Sequence, residues 1–76
     1  MTDRIELYGA AGCPWTAELR EQLQWEGTAF VEYDVEADPR ALTRLLELTG
    51  ESRTVPVLVD GGRVVRIGWQ GRGCRV

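Results

Sequence analysis

The sequence predicts an α/β fold, a mixed four-stranded sheet with helices packed on its faces. Three observations predict it. Strand-like and helix-like apolar periods follow one another in the order β-α-β-α-β-β. The first three segments form a βαβ unit, whose two strands run parallel through a right-handed crossover. The last two are joined by Asp60-Gly61-Gly62, a hairpin turn by residue type, so they run antiparallel.

Each element has a local cause. Ile5 to Tyr8 alternates apolar and polar and reads as the first strand, followed by the glycine-bearing turn Gly9-Ala10-Ala11-Gly12. Pro14 suits a first helical position, because the N–H it lacks would have no partner there. From Pro14 to about Glu26, Trp15, Leu19 and Leu23 fall four apart and form an apolar stripe, and Gly27 is a natural stop. Trp25, at the helix end, is expected to pack. Phe30 to Val35 reads as the second strand. Asp38-Pro39 reads as an N-cap and first helical residue, with Leu42, Leu45 and Leu46 on one face and Gly50 as the end. Val57 to Val59 and Val64 to Ile67 are the hairpin strands. Residues 68–76 hold three glycines in nine and show no helical period, so they read as a C-terminal tail of a single domain spanning 1–76.

Composition narrows the function. The chain has 76 residues, 43% hydrophobic and 28% charged, the balance of an ordinary globular domain rather than a disordered one. A net charge of −3 argues against an electrostatic nucleic-acid binder. The apolar runs are far below the roughly 20 residues of a membrane span. The N-terminus, Met-Thr-Asp-Arg-Ile-Glu, has neither a basic nor a long apolar region, so no secretory signal is read there. Two cysteines without such a signal point to a reducing compartment, and hence a cytoplasmic location, where thiols are more often reactive than structural. The chain has no histidine, so no imidazole can serve Cys13 as a general base.

Cys13 follows the first strand and its turn and directly precedes Pro14, so it stands at the doorstep of the first helix. The free N–H groups and positive dipole end of that helix stabilise an anion, which lowers a thiol's pKa and makes Cys13 the candidate nucleophile. The motif is Cys-Pro-Trp-Thr. Thr16 stands where many oxidoreductases have a second cysteine; its hydroxyl either donates to the thiolate or is that of an early-helix threonine. Trp15 is expected to be exposed beside the nucleophile, as an apolar contact surface for a partner disulfide. The second signal is Thr54-Val55-Pro56-Val57, a proline just before a strand, where the donor it lacks is not needed. The sequence alone leaves that proline trans.

With Cys-Pro-x-x at Cys13 to Thr16 and Thr-Val-Pro at Thr54 to Pro56, in this order of elements, the chain resembles the glutaredoxins over residues 4 to 69. It is also similar to a glutaredoxin-like group with Cys-x-x-Thr and a cysteine near the C-terminus. The resemblance implies a thioredoxin-like fold in which Pro56 is cis and faces Cys13. It implies, too, that the backbone of Val55 pairs with a bound peptide or glutathione in strand fashion. No basic residue shortly precedes Cys13. Ile67-Gly68-Trp69-Gln70 stands where glutaredoxins usually show Gly-Gly-x-Asp, which leaves Arg53 as the obvious carboxylate partner; Gly68 and Trp69 complete the expected substrate contacts. The final helix of typical glutaredoxins is missing, and Trp69 or a second copy of the chain would cover the sheet face it leaves, making a homodimer one option.

In the family fold the tail from Gly68 leaves from the edge that carries Cys13 and Pro56. Six extended residues reach about 20 Å, so Cys74 can come to Cys13. Two readings stand: Cys74 resolves a mixed disulfide on Cys13, or it is a tail thiol that is free or links two chains. The function implied is a thiol–disulfide oxidoreductase acting on protein or low-molecular-weight disulfides. It needs no metal and no bound cofactor, with glutathione as a possible co-substrate and glutathione or a reductase as electron donor. The alternatives are a single-cysteine module holding a [2Fe–2S] cluster between two copies with glutathione, and a protein-binding adaptor without redox turnover.

Overall fold

A computed structural model describes residues 4–76. Met1 to Asp3, part of the stretch read for a secretory signal, lie outside the described residues. Among these the order is β1 (Ile5–Gly9), α1 (Pro14–Trp25), β2 (Val31–Asp34), α2 (Pro39–Thr49), β3 (Thr54–Val55), β4 (Val57–Asp60), β5 (Arg63–Ile67) and β6 (Cys74–Arg75). One sheet has the order β2-β1-β4-β5, and β3 and β6 form a second, two-stranded sheet. β1 runs parallel to β2, with Tyr8 opposite Tyr33, and antiparallel to β4, with Leu7 opposite Leu58. Asp60 pairs with Arg63 across a two-residue loop. Its central residues, Gly61 and Gly62, both lie at positive φ, 61° and 85°, as a type I′ hairpin turn requires. This is the predicted thioredoxin-like α/β fold.

The pleat divides the core in two. Tyr8, Val57 and Val59 join Ala41 and Leu45 of α2 on one side, while Leu7 joins Leu19 and Leu23 of α1 on the other. α2 begins as read, with the Asp38 side chain accepting from Arg40 N at 3.0 Å and Gly50 ending it in the left-handed conformation. Trp25 departs from expectation: it is 87% exposed. Two residues past Leu23 is about 200° around the helix, which carries the indole off the buried stripe.

The C-terminal residues also depart from a loose tail. Gly68 N donates to Pro56 O, and Trp69 and Arg72 exchange backbone hydrogen bonds around Gln70 and Gly71, both at positive φ. Trp69 thereby folds onto α1 in one cluster with Leu7, Leu19 and Leu23, and its Nε1 donates to Glu18 Oε1 at 3.0 Å. Of the two covers considered for the sheet face left open, the chain's own indole is found on the α1 side. Beyond it β6 lies antiparallel on β3, with Cys74 opposite Val55 and Arg75 opposite Thr54. No helix among the described residues is long and apolar enough to cross a membrane.

Candidate active site

Cys13 is the N-cap of α1, in extended conformation, with Pro14 as the first helical residue. Its carbonyl accepts the first helical bond, from Ala17 N at 3.2 Å. No side chain caps the helix and no acidic residue occupies its first turn, so nothing in that turn offsets the positive dipole end beside the sulfur.

Cys13 and Cys74 form a disulfide, with Cα atoms 5.9 Å apart, an ordinary span for such a bond. The bond consumes both thiols, and Cys13 is 3% exposed beneath the C-terminal strand. Cys13 Sγ lies 3.9 Å from Val55 O, which brings the Thr54-Val55-Pro56 segment to the sulfur. The Val55–Pro56 peptide bond is cis. Pro56 offers no N–H to the ladder, which separates the short β3 from β4, while its carbonyl receives Gly68 N. A cavity of about 180 Å³ beside the bond is lined by Gly12, Cys13, Glu36, Cys74 and Arg75, among others.

Of the other sequence-predicted residues, Gly68 and Trp69 tie the tail to Pro56 O and to α1, away from the cavity beside the bond. Thr16 is fully buried; its Oγ1 accepts from Ala10 N at 3.4 Å, so the hydroxyl serves the end of β1. Trp15, expected to be exposed, is half-buried between the two clusters, with the Arg72 guanidinium 5.0 Å above its ring. The turn that returns the tail supplies that cover. Arg53, read as a carboxylate partner, here holds the tail: its Nη1 donates to Val76 O at 3.2 Å, and its own carbonyl accepts Val76 N at 2.9 Å.

Sequence reasoning missed Gly73. It reads as part of a flexible tail, yet a Cβ there would lie 2.7 Å from both Thr54 Cγ2 and Val55 O. Only the glycine before Cys74 hinted at it, and the partner surface is not adjacent in sequence.

A disulfide-bonded cysteine at a helix N-terminus, a proline loop set against it and a βαβ-ββ sheet define a thioredoxin-fold disulfide protein. The sequence matches the Glutaredoxin family model over residues 5–65, and the chain belongs to that family. It is 30% identical over 53 residues to a probable glutaredoxin of Synechocystis; the match covers 70% of this chain and 49% of that protein, so this chain spans about half the length of the relative. Among solved structures it is similar to the thioredoxin-like protein BC3987, with 36% identity and a TM-score of 0.78, covering 87% of this chain and 88% of that one. The glutaredoxin of Archaeoglobus fulgidus has the same fold at 24% identity and a TM-score of 0.78, covering 91% and 78%.

Proposed function

We propose that this protein is a thiol–disulfide oxidoreductase in which Cys13 is the nucleophile and Cys74 the resolving thiol. The observation that carries the reading is the Cys13–Cys74 disulfide at the amino end of α1. In the reduced protein the Cys13 thiolate attacks one sulfur of a substrate disulfide. A Cys13–substrate disulfide forms and the other substrate sulfur leaves as a thiolate. The Cys74 thiolate then attacks Cys13 Sγ, closing the internal disulfide and releasing the second substrate thiolate. Two electrons pass from the protein dithiol to the substrate. An external thiol, glutathione or the dithiol of a reductase, restores the reduced form. Protein and small disulfides are the substrate classes; the family membership favours glutathione among the small ones, and a related fold, that of buckwheat glutaredoxin, is known in complex with glutathione. The helix N-terminus beside Cys13 favours its thiolate.

Treatment of the reduced protein with glutathione disulfide, followed by intact-mass measurement, tests the scheme. The expected products are loss of two hydrogens in the unaltered chain, one glutathione adduct in Cys74→Ser and no adduct at position 13 in Cys13→Ser. A reducible dimer in place of the internal bond, or undiminished disulfide reduction by Cys13→Ser, rejects it. A pH series of iodoacetamide alkylation adds the electrostatic check: an inflection for Cys13 at or above that of a free thiol removes the role given to the helix.

A further inference from the structure

Building on that redox reading, we propose that Gly73 is the positioning residue of the resolving step: its bare Cα lets β6 seat on β3 closely enough for Cys74 to reach Cys13. Three observations carry this. Cys74 is set opposite Val55 by strand pairing, so its sulfur position follows from how near β6 lies to β3. The residue before it has no room for a side chain, since a Cβ would lie 2.7 Å from Thr54 Cγ2 and 2.7 Å from Val55 O, and the second of these is backbone that cannot swing aside. Before Gly73, Arg72 is tied to Trp69 by two backbone hydrogen bonds; after Cys74, Val76 N is held on Arg53 O and Val76 O by the Arg53 guanidinium, so a side chain at 73 must lift the strand between these anchors, at Cys74 itself.

The same geometry orders the reaction. The seated strand covers Cys13 and uses the Val55 edge, so an incoming polypeptide that pairs with that edge and the C-terminal strand exclude one another. β6 leaves for the first step and returns for the second. The positive-φ turn at Gln70 and Gly71 and the indole of Trp69 stay docked on α1 and keep the returning strand close. Each exchange conserves one sulfur–sulfur bond: the Cys13–substrate bond breaks as the Cys13–Cys74 bond forms, and the substrate departs as thiolate.

The two steps separate in time when reduced protein is mixed with bis(2-hydroxyethyl) disulfide, quenched in acid at intervals and weighed intact. In Gly73→Ala the Cys13 mixed disulfide is expected to form at least as fast as in the unaltered chain. It should then close to the internal disulfide about tenfold or more slowly, because displacing a reacting group by ~1 Å costs up to roughly 10²-fold. Gly73→Val should close more slowly still. Formation of the mixed disulfide at the normal rate is the check that the Cys13 site is folded, and hydrogen exchange at Val76 N–H should speed up as the strand lifts. Closure at an unchanged rate in both variants overturns the role of Gly73 and leaves the redox reading standing. Equal slowing of both steps makes Gly73 a general structural residue and also overturns the proposal. Failure of the unaltered chain to form either a Cys13 mixed disulfide or the internal disulfide, with no adduct at Cys13 in Cys74→Ser, overturns the redox reading itself.

Discussion

Gly9, the last residue of β1, has the Thr16 side chain where a Cβ would be, and Thr16 is fully buried with its hydroxyl committed to Ala10 N. A methyl group there must displace the first turn of α1 from the end of the strand. Gly9→Ala is therefore expected to cost about 1–3 kcal/mol in urea unfolding, the usual range for overpacking, and to slow the redox reaction by moving Cys13. Equal midpoints for the two proteins would show that the turn gives way freely. Tyr8 offers a second residue-scale test. Its ring stacks on Tyr33 with centroids 5.0 Å apart, and its hydroxyl donates to Glu6 Oε1. Burial, then the Glu6 carboxylate, push its pKa from 10.0 up to about 12. Folding thus favours the neutral phenol. That contribution is intact below pH 10 and is lost as the pH rises through about 12. Tyrosinate absorbance of the folded protein should show a late-titrating ring that Tyr8→Phe removes, and the variant should lose less stability between neutral and strongly alkaline pH.

At the scale of elements, α2 rests on its cap as well as on Ala41 and Leu45. Asp38→Ala leaves Arg40 N without its acceptor and is expected to cost about 1 kcal/mol by chemical denaturation. No change would mean that water replaces the carboxylate at no cost. The exposed bidentate pair of Arg20 and Glu32, which ties α1 to β2, should matter less: about 0–1 kcal/mol for Arg20→Ala, falling further with added salt. Caps, periods and the Gly61-Gly62 turn are local, and this is why both helices and the hairpin are legible in the sequence. Cys13 is legible for the same reason, since the proline that starts α1 is its neighbour. The pair β3 and β6 is not. Two residues carry no period, and Thr54–Val55 becomes a strand only because Cys74–Arg75 returns from nearly twenty positions away. Glycines 71 and 73 read alike in sequence, yet one turns the chain at positive φ and the other makes room for Val55 O. Nor does the helical period alone place Trp15, whose cover is Arg72 from the far end of the chain.

For the whole molecule, the Cys13–Cys74 bond is also a covalent tie across the fold. It joins positions separated by 61, with two helices among the described residues. The C-terminal strand is otherwise held by one short ladder, the Arg53 contacts and the seating of Trp69. Closing a loop of that length removes unfolded-state entropy worth about 4 kcal/mol in the chain-entropy model. At roughly 4–8 °C per kcal/mol for a domain of this size, the reduced protein should melt on the order of 15–30 °C below the oxidised one. Cys74→Ser should match the reduced protein whether or not reductant is present, which separates the missing bond from any effect of the reductant. The difference has a functional side. On the proposed scheme β6 leaves Cys13 for substrate and returns to resolve it, so it should be only weakly held once the sulfurs part, and the reduced form should lose protection from hydrogen exchange at Val76 N–H while the Trp69–Arg72 turn, docked on α1, keeps its own. Melting temperatures that coincide, with equal protection in both redox states, would mean that β6 stays seated without its covalent bond, and the proposed strand exchange would then have no weak link to use.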